Sequence, residues 1–166
     1  MSDEFRIEPL AEAHDRRSFD SGSAALNTYL GERATQDVKR LIASCFVAID
    51  EADARIAGFF TLSATSVRAD EQRSESLRRL PRYPILPAAL IGRLAVDKAY
   101  QGRGLGGAMI ADAALRVIRG DVKAFAMLVD AKDENAAKFY ERHGFHTIHG
   151  RPLSLFIPLE SFRRSV

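Results

Sequence analysis

From Leu90 to Leu115 the chain reads LIGRLAVDKAYQGRGLGGAMIADAAL. A branched, apolar run ends at Val96, five residues intervene, and four glycines (Gly102, Gly104, Gly106 and Gly107) lead directly into an apolar helical pattern. This is the signature of a strand, a glycine-rich turn and a helix N-terminus. Glycines let successive backbone N–H groups converge on one point, and the following helix adds the positive end of its dipole, so the natural guest is a phosphate or pyrophosphate.

The rest of the chain must supply a frame for that turn. At 166 residues it has the length of one domain, residues 1–166, with enough material for a hydrophobic core, and 46% hydrophobic with 28% charged residues is an ordinary globular composition. Its apolar runs fall short of the roughly 20 residues that cross a bilayer. The opening MSDEFRIEPL lacks the basic-then-apolar order of a secretion signal, so a cytoplasmic protein without a membrane partner is expected. The single cysteine, Cys45, excludes an internal disulfide and sits in the apolar run CFVAI, where a buried, inert thiol is the expectation. The four histidines lack the spacing of a metal site, and no metal is expected. A net charge of +2 is too mild to announce a nucleic-acid partner, but seven cations (Arg73, Arg78, Arg79, Arg82, Arg93, Lys98, Arg103) face only Glu75 and Asp97 between positions 73 and 103.

Periodicity divides the chain into alternating elements. A strand is expected over Phe5–Leu10. A helix begins after a cap at Asp20, Ser21 or Ser23, with Leu26, Tyr29, Leu30, Ala34, Val38 and Leu41 as its apolar stripe. Cys45–Ile49 and Arg55–Ser63 read as a hairpin, with Gly58 marking a bulge or a close backbone approach. A basic stretch and the stiff segment PRYPILP lead to the central strand ending at Val96. Then follow the helix from Leu105, a strand over Ala124–Val129, a short helix over Asn135–His143, and closing strands at Phe145–Ile148 and Ser154–Leu159. The fold class is mixed α/β, without internal repeats.

A P-loop requires a lysine followed by Ser or Thr, which this turn lacks. A dinucleotide fold carries its glycines after the first strand, whereas here they follow the fourth. What stands at this place is Gln101-Gly102-Arg103-Gly104-Leu105-Gly106, an instance of [QR]xxGx[GA], with NAAKFYERHGF some 30 residues on. In these segments the chain resembles the GNAT N-acetyltransferases. The resemblance implies an acyl-CoA N-acyltransferase fold, a central mixed and mostly antiparallel sheet flanked by helices, and acetyl-CoA as acetyl donor. Phe19-Asp20-Ser21-Gly22, Leu26-Asn27-Thr28-Tyr29-Leu30, Pro81-Arg82-Tyr83-Pro84, Gly92-Arg93-Leu94-Ala95-Val96-Asp97 and Val129-Asp130-Ala131-Lys132 further resemble the GNAT toxins of bacterial toxin–antitoxin modules. That resemblance implies acetylation of the α-amine of aminoacyl-tRNA, a block of translation, a ribbon-helix-helix antitoxin as partner, and a homodimer.

On the same resemblance, Gln101, Gly102, Arg103, Gly104, Leu105, Gly106 and Gly107 meet the pyrophosphate. Leu94, Ala95 and Val96 meet the pantetheine arm and thioester, and Asn135 is either a helix cap or a coenzyme contact. Tyr140 is the candidate general acid, because a phenol stays protonated at neutral pH and can pass its proton to a leaving thiolate. Leu90–Val96 contains no carboxylate to act as base. An α-amine near 7.7–8.0 is partly uncharged at neutral pH whereas a lysine near 10.4 is not, so the missing base favours an α-amine. For an aminoacyl-tRNA acceptor, Arg78, Arg79, Arg82, Arg93, Lys39 and Arg40 are the candidate phosphate contacts. Arg93 has the alternative of pairing with Asp97 or packing at the strand end. The competing functions are a GNAT acetylating a small amine or a protein N-terminus, and a non-catalytic acyl-CoA-binding module.

Overall fold

The computed structural model describes residues 4–68 and 84–165. Its strands are β1 (Phe5–Pro9), β2 (Ser44–Asp50), β3 (Ile56–Arg68), β4 (Ile85–Val96), β5 (Ala126–Asp130), β6 (His146–Ile148) and β7 (Arg151–Pro158). Its helices are α1 (Ala24–Thr28), a π-helical turn (Tyr29–Arg33), α2 (Ala34–Lys39), α3 (Leu105–Arg119) and α4 (Glu134–Arg142), with 3-10 turns at Lys98–Tyr100 and Leu159–Ser165. The seven strands form one mixed sheet, as the family resemblance implies. No helix among the described residues is long and apolar enough to cross a membrane.

The chain clusters into two compact units, one of Met1–Ser63 with Gly92–Ala113 and one of Ala64–Ile91 with Ala114–Val166. In the first, strands run in the order β1-β2-β3-β4, and β1–β2 and β2–β3 are antiparallel. Its core gathers Phe19, Tyr29, Leu30, Ala34, Cys45, Val47, Ile49, Ile56, Phe59 and Ala95, with Leu10 and Leu26 packed against it. Cys45 is buried and desolvation pushes its thiol up to about 12, which makes it as inert as its apolar setting suggests. In the second unit β4 and β5 pair in parallel, while β5–β7 and β6–β7 are antiparallel. Val67, Leu86, Ala88, Ala126, Leu128, Ile148 and Phe156 form its core.

Three local readings change. The helix expected to run unbroken from Ser23 is interrupted by the π turn, closed by the Ala34 N–H donating to the Tyr29 carbonyl. One extra residue in that turn rotates everything after it by roughly 100°. The stripe therefore holds at Tyr29, Leu30 and Ala34, which are buried, and fails at Val38 and Leu41, which are exposed. Leu41 is 93% exposed and has a φ of 60°. It occupies the position after the α2 C-cap, where the Ile42 N–H reaches the Asp37 carbonyl (2.9 Å) and the Leu41 N–H reaches Val38 (3.1 Å), an arrangement that usually selects glycine.

β3 continues to Arg68, beyond the expected end at Ser63, because TLSATSV consists of residues that tolerate extended backbone. β4 begins at Ile85 rather than near Leu90 and carries Pro87 within it. Pro87 still contributes to the sheet as an acceptor, taking the Phe125 N–H at 2.8 Å. Gly58 is the close approach its position in a strand suggests. A Cβ there would stand 2.9 Å from the Ala95 carbonyl oxygen and 2.9 Å from the Met109 methyl.

Candidate acetyl-transfer site

The glycine turn is tied to the first unit by hydrogen bonds. Asp97, 3% exposed, caps the 3-10 turn by accepting the Ala99 N–H (2.8 Å) and also accepts the Asp20 N–H (2.9 Å). The Lys98 N–H donates to the Asp20 carbonyl at 2.9 Å. Asp20 in turn accepts from the Gly22 N–H and the Asn27 amide, and Asn27 accepts from both the N–H and the hydroxyl of Ser21. The segment FDSG is thus a knot that fixes where the chain leaves β4, and Ser23 caps α1. Gln101 completes it, its side-chain amide donating to the Val96 carbonyl (3.0 Å) and the Ser21 carbonyl (3.2 Å). Arg103 turns to Glu4 at 3.0 Å and lies over the rings of Phe5 and Tyr100. Two residues named as pyrophosphate contacts therefore spend their side chains on holding the loop.

The backbone of the loop remains available to a ligand. Gly102 and Gly104 have φ of 77° and 81°, the left-handed region that glycine reaches without strain. Nothing stands within 4 Å of where their Cβ atoms would be, so they are glycines for conformation and not for crowding. The Ala108 N–H, bonded to the Gly104 carbonyl, is the first donor used inside α3. The N–H groups of Leu105, Gly106 and Gly107 precede it with no intrahelical acceptor, the arrangement that receives phosphate oxygens. Immediately before the loop, Leu94–Val96 end β4 beside Gly58, whose missing side chain leaves room for the Ala95 carbonyl.

Arg93 does not pair with Asp97. Its guanidinium carbon lies 3.7 Å from the centre of the Tyr29 ring, and its N–H bonds the Thr61 hydroxyl at 3.1 Å. It lines a cavity of about 410 Å³ together with Ala24, Ala25, Leu26, Thr28, Tyr29 and Arg33. Lys39 and Arg40 stand exposed at the end of α2 and do not line this cavity, whereas Arg33, which no sequence signal singled out, does. Arg78, Arg79 and Arg82 lie outside the described residues.

The second unit carries Tyr140 and Asn135, both on α4. Asn135 is exposed and is not the helix cap. Asp133 is, accepting the Ala136 N–H at 2.8 Å, because the helix begins one residue earlier than its apolar pattern. Tyr140 is 7% exposed, its ring edge-on to Phe139 (5.1 Å) and Phe145 (5.5 Å). Its hydroxyl has no hydrogen-bond partner among the described residues, and burial pushes the phenol up to about 12. A buried hydroxyl without a partner is costly and uncommon, and it stays fully protonated at neutral pH.

Known proteins with this arrangement are numerous. Residues 42–147 match the Acetyltransferase (GNAT) domain. A tRNA-acetylating toxin of Mycobacterium tuberculosis is 33% identical over 156 residues, covering 93% of this chain and 92% of that protein. Among solved structures, a tyrosine-to-phenylalanine mutant of KacT superposes with a TM-score of 0.88 at 29% identity, covering 98% of this chain and 99% of that one. AtaT complexed with acetyl-methionyl-tRNAfMet gives 0.87 at 27% identity, covering 97% and 98%. AtaT has also been solved with the C-terminus of its antitoxin AtaR, and AtaTR with AcCoA. With a glycine turn built to present backbone donors and a domain match over most of its length, the chain belongs to the GNAT family of acetyltransferases.

Proposed function

We propose that residues 1–166 work as one acetyltransferase domain that moves the acetyl group of acetyl-CoA to the α-amine of an aminoacyl-tRNA, and that this blocks translation as the toxin of a toxin–antitoxin pair. The likeness to the M. tuberculosis tRNA-acetylating toxin, running along nine-tenths of both chains, carries this reading. The geometry of the donor half agrees with it. The pyrophosphate of acetyl-CoA takes the unbonded N–H groups at the start of α3, with the turn held in shape by Gly102, Gly104 and the internal bonds of Gln101 and Arg103. The pantetheine arm follows Leu94–Val96, and Asn135 is kept as a coenzyme contact.

In the chemical step the uncharged amine nitrogen forms a bond to the thioester carbon, and the C–S bond breaks as the tetrahedral centre collapses. The departing sulfur takes the Tyr140 proton, the new amide nitrogen loses its proton to water, and solvent restores the phenol. A buried phenol with no acceptor among the described residues holds that proton for none of them. Arg93, Lys39, Arg40 and the sequence-identified Arg78, Arg79 and Arg82 serve the phosphates of the acceptor. The partners are a ribbon-helix-helix antitoxin and a second copy of the chain.

The deciding experiment incubates the protein with labelled acetyl-CoA and either charged or uncharged tRNA. Label should enter only the charged tRNA, in alkali-labile linkage. Transfer to polyamines or peptides with charged tRNA untouched would refute the acceptor. Tight coenzyme binding without any transfer would refute catalysis.

A further inference from the structure

The cavity beside Arg93 has features that the acetyl-transfer chemistry does not use. Its walls are Ala24, Ala25, Leu26, Thr28 and Tyr29, its charged groups are Arg33 and Arg93, and no carboxylate lines it among the described residues. Neither arginine makes an ion pair among the described residues. At about 410 Å³ it lies within the range of small-ligand sites.

The placing of Arg93 is built rather than incidental. The π turn brings Tyr29 and Leu30 inward as consecutive buried residues. Tyr29 is then fixed at three points. Its ring is nearly parallel to Phe59 at 6.2 Å, its hydroxyl donates to Asp37 at 2.8 Å, and the Arg93 guanidinium carbon lies over the ring at 3.7 Å. The Arg93 side chain makes no hydrogen bond or ion pair among the described residues, so its N–H donors are available to a ligand. A planar guanidinium held this way presents a fork that matches two oxygens of a phosphate. Asp37 accepts the Tyr29 hydroxyl and is not among the residues that line the cavity. π turns are rare and concentrate at functional sites.

We propose that this cavity is a subsite for the phosphodiester at the 3′ end of the nucleic-acid acceptor. Arg93 and Arg33 are its anion contacts, the Ala24–Leu26 wall receives the apolar face of the terminal nucleoside, and Tyr29 is the positioning residue for Arg93. The inference rests on the aminoacyl-tRNA reading above and names where that acceptor is held.

The test compares two acceptors that share an α-amine, charged tRNA and the methyl ester of the same amino acid, which has no phosphate. Arg93→Gln and Arg33→Gln should each raise KM for charged tRNA about tenfold with kcat within threefold, and should cost at least ten times more on charged tRNA than on the ester. Each should also lower the slope of log(kcat/KM) against log salt by about 1. Tyr29→Leu should reproduce the Arg93→Gln loss, and Tyr29→Phe, which keeps the stack, should recover most of it. Salt slopes unchanged in both arginine variants would overturn the subsite and leave the acceptor assignment standing. Equal losses on tRNA and ester would overturn it too, since the arginines would then act on the chemistry or the fold. A wild-type protein that ignores charged tRNA removes the acceptor assignment and the subsite with it.

Discussion

Gly58→Ala places a methyl group where the structure has least room. The new carbon would stand 2.9 Å from the Ala95 carbonyl oxygen, 2.9 Å from the Met109 methyl and 3.1 Å from its sulfur. Met109 is flexible and can swing aside at small cost, but it is fully buried, so its displaced methyl must find space in a packed core. The Ala95 oxygen belongs to backbone and can retreat only by moving the end of β4. Overpacking of this kind costs about 1–3 kcal/mol, and the backbone clash places this variant near the upper end. For a chain of this length that is a fall in Tm of about 5–10 °C. Because the strand end that moves is the one assigned to the pantetheine arm, KM for acetyl-CoA should rise several-fold at a temperature where the variant is still folded. Thermal denaturation and steady-state kinetics at 20 °C read the two effects separately. A Tm within 1 °C of wild type would refute the packing argument, and a large fall in Tm with KM unchanged would detach Leu94–Val96 from the coenzyme.

Leu41→Gly should stabilise the protein. Relief of the left-handed conformation is worth about 1–2 kcal/mol, and the freer unfolded chain of glycine returns about 0.5–1 kcal/mol of that. A rise in Tm of about 2–3 °C is expected, and a fall would mean that Leu41 is held by something the fold requires. Tyr140→Phe should lower kcat about 10²–10⁴-fold with Tm unchanged or raised, since the hydroxyl it removes is buried without a partner among the described residues; turnover near wild type would end its role as acid. In the wild type, kcat/KM should rise with pH through the α-amine range of about 7.7–8.0 and stay level to about pH 10. The Tyr140 phenol is raised in the fold, so the stability tied to its protonated form is complete below the ordinary tyrosine value and is lost only as pH climbs toward about 12. A descending limb near pH 9 would assign the acid to another group.

Strong local chemistry was the part of the fold legible in the residues. Glycines that must take positive φ, a strand before them and an amphipathic helix after them admit few alternatives, and Gly102, Gly104 and α3 stand as the pattern requires. The π turn could not be read, because a period of 3.6 tolerates one extra residue without visible error over so short a stretch. Its consequence, Tyr29 packed against both Phe59 and Arg93, was hidden with it. The true length of β3 was obscured because its last residues are Ser, Thr and Ala, whose alternation carries little hydrophobic contrast. Asp133 and Asn135 are equally good caps by type, and only the backbone decides between them. Arg33 is one more charge on a polar helix face until the π turn and the cavity give it a neighbour.

Tyr140 shows the same division at the level of chemistry. The residue type establishes that a proton is available, and its surroundings establish that nothing inside the described fold competes for it. Set beside the absence of any carboxylate in Leu90–Val96, this makes the proposed chemistry asymmetric: Tyr140 is its candidate acid for the leaving thiol, and no residue of Leu90–Val96 is a candidate base for the incoming amine. Such a site favours acceptors that arrive uncharged. An α-amine next to an ester does so at neutral pH, and a lysine does not without help. The slope of the pH profile below 8 is therefore a measurement of acceptor class. If the rate rises with the acceptor's own amine pKa as the aminoacyl group is varied, the base is solvent and the amine selects itself. If the rate follows one fixed value whatever the acceptor, a protein base outside β4 does the work, and the argument from the missing carboxylate to an α-amine fails.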